Sequence, residues 1–296
     1  VTKRFNKFIK RWPTLKKLSK TSESSILSFW SGLGYYSRAR NLLKASKLIE
    51  KNFMGQIPKN FNDLICLPGI GEYTANAILG IGYNKPTMPL DTNIERIIAR
   101  IFCYQNPISD IKKKLQKKSI TFISPRSSSK LIQAFMDYGS LICTPRNPKC
   151  YDCLIKIHCK SYSKNLENLI PIKKKKKLKK LKKFSRAYII ANENNEILIR
   201  RRPKKGMLAS MLEVPNDEWV KNKKDLVQDE IVFILNSKLK LKGLLEYSFS
   251  HFNLETEVFF TKVTKSKFSN YKWINRKKIE KSGLPTVMKK IVNIAI

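Results

Sequence analysis

No stretch of 18 consecutive apolar residues occurs in this 296-residue chain, so no membrane-crossing helix is expected. No secretory signal pattern opens it. It begins on Val1 rather than Met, which implies a start inside a longer reading frame. Acidic residues are scarce: 22 Asp and Glu stand against 60 Lys and Arg, a formal net charge of +38. That excess points to a polyanionic partner, nucleic acid first, although a Lys-, Asn- and Ile-rich genome contributes to it. No internal repeat is visible. What is present is ample apolar material, 42% of residues, which excludes a globally disordered chain and allows two domains.

Through residue 160 no convincing alternating strand is found, and helical spacing dominates. Phe5, Phe8, Ile9 and Trp12 share one face, with Pro13 as punctuation. Gly32-Leu33-Gly34 turns into a helix carrying Leu42, Leu43, Ala45 and Leu48. Residues 61–66, 108–119 and 128–142 add further helices. Residues 1–160 therefore read as an all-α domain. Residues 161–184 read as a linker with nine lysines between Lys173 and Lys183. Like charges with nothing to bury cannot fold alone; the run either follows phosphates or is a solvated tether. From 185 to 296 the pattern is α+β. Strands are expected at 186–191, 196–201, 255–263 and 271–274, an Asn-rich turn at 192–195, and a helix after Pro285.

The segment Leu67–Arg100 organises the first domain. A tight turn, Pro68-Gly69-Ile70-Gly71, joins two apolar segments. Asp91 stands directly ahead of a helix whose Ile94, Ile97, Ile98 and Ile101 keep the i, i+3, i+4, i+7 spacing of a buried face. Glycines let backbone N–H groups approach a phosphate. Asp91 is placed either to act chemically or to cap its helix, and the two roles are compatible.

Four of the six cysteines crowd together as C-x6-C-x2-C-x5-C, at Cys143, Cys150, Cys153 and Cys159. Clustered cysteines in a basic, intracellular chain read as a metal site rather than as disulfides. A tetrahedral zinc, a [4Fe–4S] cluster and unligated thiols are the three readings. A single C-x2-C wrapped by two outer cysteines suits the cluster best. Cys66 and Cys103, in apolar helical context, read as core residues.

With SGLGYYSRARNL at 31–42, LPGIGEYTA at 67–75, LDTNIERIIAR at 90–100, MDYGSLIC at 136–143, the four cysteines and FSHFNLE at 249–255, the chain resembles the helix-hairpin-helix DNA glycosylases. It is most similar to the adenine DNA glycosylases of the MutY type. The resemblance spans essentially the whole sequence. It implies an all-α helix-hairpin-helix glycosylase domain with an iron–sulfur cluster loop at 143–159, followed by an α+β MutT-like (Nudix-like) domain. The expected activity is hydrolysis of the N-glycosidic bond of adenine mispaired with 8-oxoguanine or guanine in double-stranded DNA, by a cytoplasmic, nucleoid-associated bacterial monomer.

The resemblance also implies roles. Pro68, Gly69 and Gly71 grip a phosphate. Tyr35 wedges into the duplex, because a base must leave the stack before chemistry can reach it. Tyr73 stands where bifunctional relatives such as endonuclease III carry a Schiff-base lysine, so base excision without efficient strand cleavage is expected. Gln133 is a pocket residue, Asp91 the carboxylate that faces positive charge on the sugar, and Cys143, Cys150, Cys153 and Cys159 the ligands of a [4Fe–4S] cluster. Phe249, Ser250 and His251 read 8-oxoguanine. A Nudix hydrolase needs a glutamate six residues after its glycine; after Gly206 that position is Leu212, so nucleotide hydrolysis is not expected. The family's proton-donating glutamate lies in a motif ahead of the segment that matches Val1, and no such motif occurs here. The expectation is an incomplete fragment of the enzyme. The alternatives are a lesion-binding protein without turnover and an endonuclease III-like glycosylase/lyase.

Overall fold

A computed structural model describes residues 2–123, 126–172, 174 and 180–296. Most of the lysine run, residues 173 and 175–179, lies outside the described residues. The chain forms two compact units, Val1–Leu43 with Leu178–Ile296, and Lys44–Lys177.

The first unit opens with α1 (Thr2–Arg11), α2 (Leu15–Ser19), α3 (Glu23–Trp30) and the start of α4 (Tyr36–Asn52). Thr14 and Ser22 cap α2 and α3 by accepting the N–H groups of Lys17 and Ser25, which satisfies donors that a helix start leaves open. Phe8, Trp12 and Phe29 pack edge to face, with centroids 5.0–5.7 Å apart. Their cluster takes in Leu18, Ile26, Leu27, Ala39 and Leu43, and also Met211. Met211 is why the first 43 residues group with the C-terminal sequence rather than following the expected boundaries at 160 and 185.

The second unit continues α4 and adds α5 (Phe61–Ile65), α6 (Glu72–Ala77), α7 (Thr92–Ile101), α8 (Ile108–Ile120) and α9 (Ser128–Leu141). α6 runs into a single π-helical turn, Ile78–Gly82. Ile94 and Ile98 of α7, Leu115 of α8 and Ile132 of α9 are fully buried together with Met88 and Ile170. Each such side chain contributes about 1.5–3 kcal/mol by leaving water.

The C-terminal part of the first unit is a six-stranded sheet of order β3-β2-β1-β5-β4, with β6 also paired to β2. The elements are β1 (Leu181–Ala191), β2 (Glu196–Arg201), β3 (Leu212–Glu213), α10 (Glu230–Leu235), β4 (Lys240–Ser248), β5 (Phe252–Lys262), β6 (Tyr271–Asn275) and α11 (Thr286–Ala295). β1 and β5 pair in parallel; the other pairs are antiparallel. Ala187 and Ile189 face α11, whereas Tyr188 and Ile190 face α10, the two-residue period of a strand covered on both sides. The four expected strands are present. β1, however, starts inside the expected linker: Lys182 pairs with Glu255 at 2.6 Å, and the ladder Leu181↔Phe252 to Phe184↔Glu255 continues β1 backwards. A partner strand supplies what the lysine run lacks by itself.

Candidate active site

α5 ends at Ile65, and Leu67 is buried before the chain turns at Pro68 and Gly69. Gly69 takes φ +80°, a left-handed conformation that favours glycine. Gly71 is extended, and a Cβ there would meet no atom within 4 Å. Its backbone therefore faces open space at the start of α6. Cys66, expected in the core, is exposed at the end of α5, and Cys103 is half-buried, because the buried α7 stripe ends with Ile98 and Ala99.

Tyr73 is partly exposed and borders a cavity of about 510 Å³ with Glu72, Glu95, Lys112, Gln116 and Lys117. Burial pushes the Glu95 carboxyl up; Lys112 pulls it down and Asp91, one turn earlier, pushes it up. Gln133, expected in the pocket, is exposed on α9 and is not among the residues lining this cavity. Its Nε2 donates to the carbonyl and hydroxyl of Ser129, both at 3.2 Å, a local bond within its own helix.

Asp91 caps α7. Its Oδ1 accepts N–H bonds from Asn93 (2.9 Å) and Ile94 (2.7 Å), and its Oδ2 accepts from Asn93 Nδ2 at 2.9 Å. The carboxylate is half-buried and held in one orientation. Capping and a chemical role thus meet in one side chain. Asn93 accepts in turn from Arg96 Nη2 at 2.9 Å, and Arg96 donates to the carbonyls of Cys143 (2.8 Å), Gly139 (2.5 Å) and Thr92 (3.1 Å). Gly139 lets α9 come this close: a Cβ on it would sit 2.6 Å from Asn93 Cβ.

The four cysteines border one small cavity together with Arg100, Lys149, Lys156 and Glu167. Arg100 Nη1 donates to Cys143 Sγ at 3.2 Å and to Thr144 O at 2.7 Å, and its Nε donates to Ile170 O at 2.8 Å. Burial raises the thiols of Cys150 and Cys159; for Cys150 the nearby Glu167 and the other cysteines add to it. Thiols raised in this way stay protonated until a metal compensates them. Among the described residues, no three His, Cys, Asp or Glu side chains are gathered closely enough to hold a single metal ion. Four thiols around one cavity, with three cations beside them, nevertheless fit a larger dianionic cluster.

In the first unit, Tyr35 and the 249–251 loop border a cavity of about 640 Å³ that also includes Gly34, Arg40 and Met207. Of the two adjacent tyrosines, Tyr36 is buried and Tyr35 is 71% exposed with φ +46°. Arg38 lies 5.6 Å from the centroid of the Tyr35 ring. Phe249 is held by Phe252 and Tyr247, each with centroids at 4.8 Å, and by Trp219 at 5.4 Å, while Ser250 and His251 are exposed. Lys180 Nζ donates to Ser248 Oγ and Phe249 O at 2.8 and 2.9 Å, so this lysine anchors the loop. Leu212 is partly buried at the start of β3, and the adjacent Glu213 is occupied by Arg200, Arg202 and Asn216.

Residues 1–120 match the family described as HhH-GPD superfamily base excision DNA repair protein, and residues 186–293 match the NUDIX domain. The adenine DNA glycosylase of Buchnera aphidicola subsp. Baizongia pistaciae (strain Bp) is 35% identical over 296 residues, covering 97% of this chain and 82% of that protein. The chain belongs to the adenine DNA glycosylase family. The adenine DNA glycosylase of Buchnera aphidicola subsp. Schizaphis graminum (strain Sg) is 33% identical, covering 98% of this chain and 85% of its own length. Among solved structures, a thermostable thymine-DNA glycosylase is 28% identical with a TM-score of 0.51, covering 55% of this chain and 76% of that one. This member of the family is thus a base-excision DNA glycosylase with a Nudix-like second domain.

Asn93, Arg96, Arg100 and Tyr138 escaped the sequence reading. The available signal was polar residues on the buried face of α7: Arg96 and Arg100 are 4% and 2% exposed. Buried arginines need partners, and that need pointed to the cysteine loop.

Proposed function

We propose that this glycosylase excises adenine opposite 8-oxoguanine or guanine in duplex DNA by hydrolysis and without strand cleavage. The observation that carries this reading is the Asp91 carboxylate. It is fixed by two backbone N–H groups and Asn93 at the start of α7, in the unit where the hairpin presents Tyr73 rather than an amine. As the base departs, the sugar becomes oxocarbenium-like, and a preorganised anion stabilises that charge without reorganising. A phenol cannot form the imine that a lyase requires, so the abasic strand stays intact. The exposed Tyr35 and the anchored 249–251 loop share one cavity, which supports duplex insertion and 8-oxoguanine reading within the first unit.

Protonation of the departing adenine is the second requirement. The assay is therefore run on this chain alone and on the chain extended by the coding sequence that precedes Val1. Expected is adenine release from an A:8-oxoguanine duplex, leaving a strand that breaks only on alkali treatment. Release that is equal from an A:T duplex overturns the mispair specificity, and breakage without alkali overturns the monofunctional reading.

The four cysteines are assigned to a [4Fe–4S] cluster. A lone zinc needs its ligands about 2.3 Å from one centre, a convergence that the thiols do not make. When bound, such a cluster supplies a one-electron couple and four covalent anchors for residues 143–159. Arg96 and Arg100 tie that loop to α7, so the residues that hold Asp91 and those that hold the thiols form one hydrogen-bonded body.

A further inference from the structure

Tyr138 has no part in the roles described so far. It lies on α9, and its hydroxyl oxygen accepts the backbone N–H of Leu154 at 3.0 Å and is hydrogen-bonded also by the N–H of Ile155. Both amides belong to the residues immediately after Cys153, and Cys153 Sγ is within hydrogen-bonding reach of the same hydroxyl. A phenol has one proton to give and two lone pairs to offer. Backbone N–H groups only donate. With its lone pairs directed at Leu154 and Ile155, the Tyr138 oxygen has its own O–H left to donate, and the acceptor at hand is the Cys153 sulfur. Burial, reinforced by Cys153, pushes the pKa of Tyr138 up to about 12, so the proton is in place at neutral pH.

We propose that Tyr138 is a positioning residue that donates its O–H to Cys153 Sγ and raises the reduction potential of the iron–sulfur cluster. The proposal rests on the assignment of the four cysteines to that cluster. Adding an electron to a thiolate-ligated cluster increases negative charge on its sulfurs. A donor aimed at one of them stabilises the reduced state more than the oxidised state, and hydrogen bonds to sulfur are a main lever on such potentials. Two amides hold the phenol in this geometry, so the donor is preorganised. Arg100, donating to Cys143 Sγ at 3.2 Å from the other side, acts in the same sense, but it also ties down Thr144 and Ile170. Tyr138 is therefore the donor that can be removed with less damage.

The test compares the full chain, purified anaerobically with its cluster, as wild type and as Tyr138→Phe. The cluster's midpoint potential is read by spectroelectrochemistry and its Fe–S stretching bands by resonance Raman. Expected are a shift of the potential to more negative values and a shift of the bands to higher frequency, because the bond to the sulfur is lost. Should Tyr138→Phe fail to hold its cluster, site-specific difluorotyrosine at 138 keeps the shape and strengthens the donor, and the potential is expected to move the opposite way. A cluster-loaded variant of either kind with unmoved potential and bands overturns the proposal. A wild-type chain with neither iron nor visible absorbance overturns the cluster assignment itself, and the role of Tyr138 with it.

Discussion

The Asn93 side chain bridges two functional groups: its amide donates to Asp91 Oδ2 at 2.9 Å, and its carbonyl oxygen accepts from Arg96 at 2.9 Å. Arg96 continues to the carbonyl of Cys143 at 2.8 Å. The orientation of the carboxylate is therefore set by residues that also hold the thiol-bearing loop. A hydrogen bond to a charged group is worth about 1.5–3 kcal/mol.

Asn93→Ala is accordingly expected to slow single-turnover base release by roughly 10- to 100-fold, with little change in duplex affinity. Single-turnover kinetics alongside binding isotherms check this. An unchanged rate would show that the two backbone amides alone hold Asp91.

Gly139→Ala is expected to act on the same bridge from the other side. Its new Cβ would lie 2.6 Å from Asn93 Cβ, and overpacking of this kind costs about 1–3 kcal/mol. Denaturant unfolding should show the loss, and the release rate should fall with it. Stability lowered without any effect on rate would separate packing from catalysis.

The helices of the second unit were legible because α7, α8 and α9 keep strict apolar periods and end at turn residues. The hairpin, Asp91 and the cysteines were legible because they are local in sequence. Two things were not. β4 is an edge strand with Leu245 as its one buried residue, so it lacks the alternation that identifies a strand. The bridge from Asp91 to Cys143 depends on a close approach of α7 and α9, and only the folded chain shows that Gly139 permits it. Gln133 shows the converse, a residue matched by motif whose side chain bonds to its own helix.

Tyr73→Lys is expected to give a borohydride-trappable imine with DNA, since the variant places an amine where the phenol stands. Trapping gels on wild type and variant check this. A trapped wild type would contradict the monofunctional reading, and a silent variant would place Tyr73 outside the reach of the sugar.

Glu255 gives a pH dependence. Its hydrogen-bonded ion pairs with Lys182 (2.6 Å) and Lys223 (2.7 Å) hold its carboxyl below the usual range. A lowered folded-state pKa contributes stability that is present above the unfolded value of about 4.3 and lost as pH falls through the folded value. Both lysines are about half exposed, so screening limits the effect to about 1 kcal/mol or less. Glu255→Gln is expected to melt slightly below wild type at neutral pH and equally at strongly acidic pH, with the gap narrowing in high salt. A gap that persists in acid would assign it to packing rather than charge.

The most direct test of the account is single-turnover release of adenine from an A:8-oxoguanine duplex by the catalytically complete reading frame and its Asp91→Asn variant. Expected is release by the parent and a loss of at least about 100-fold in the variant, the scale for removing a preorganised charge from a transition state, with duplex binding retained. Release from Asp91→Asn at the parent rate would contradict it.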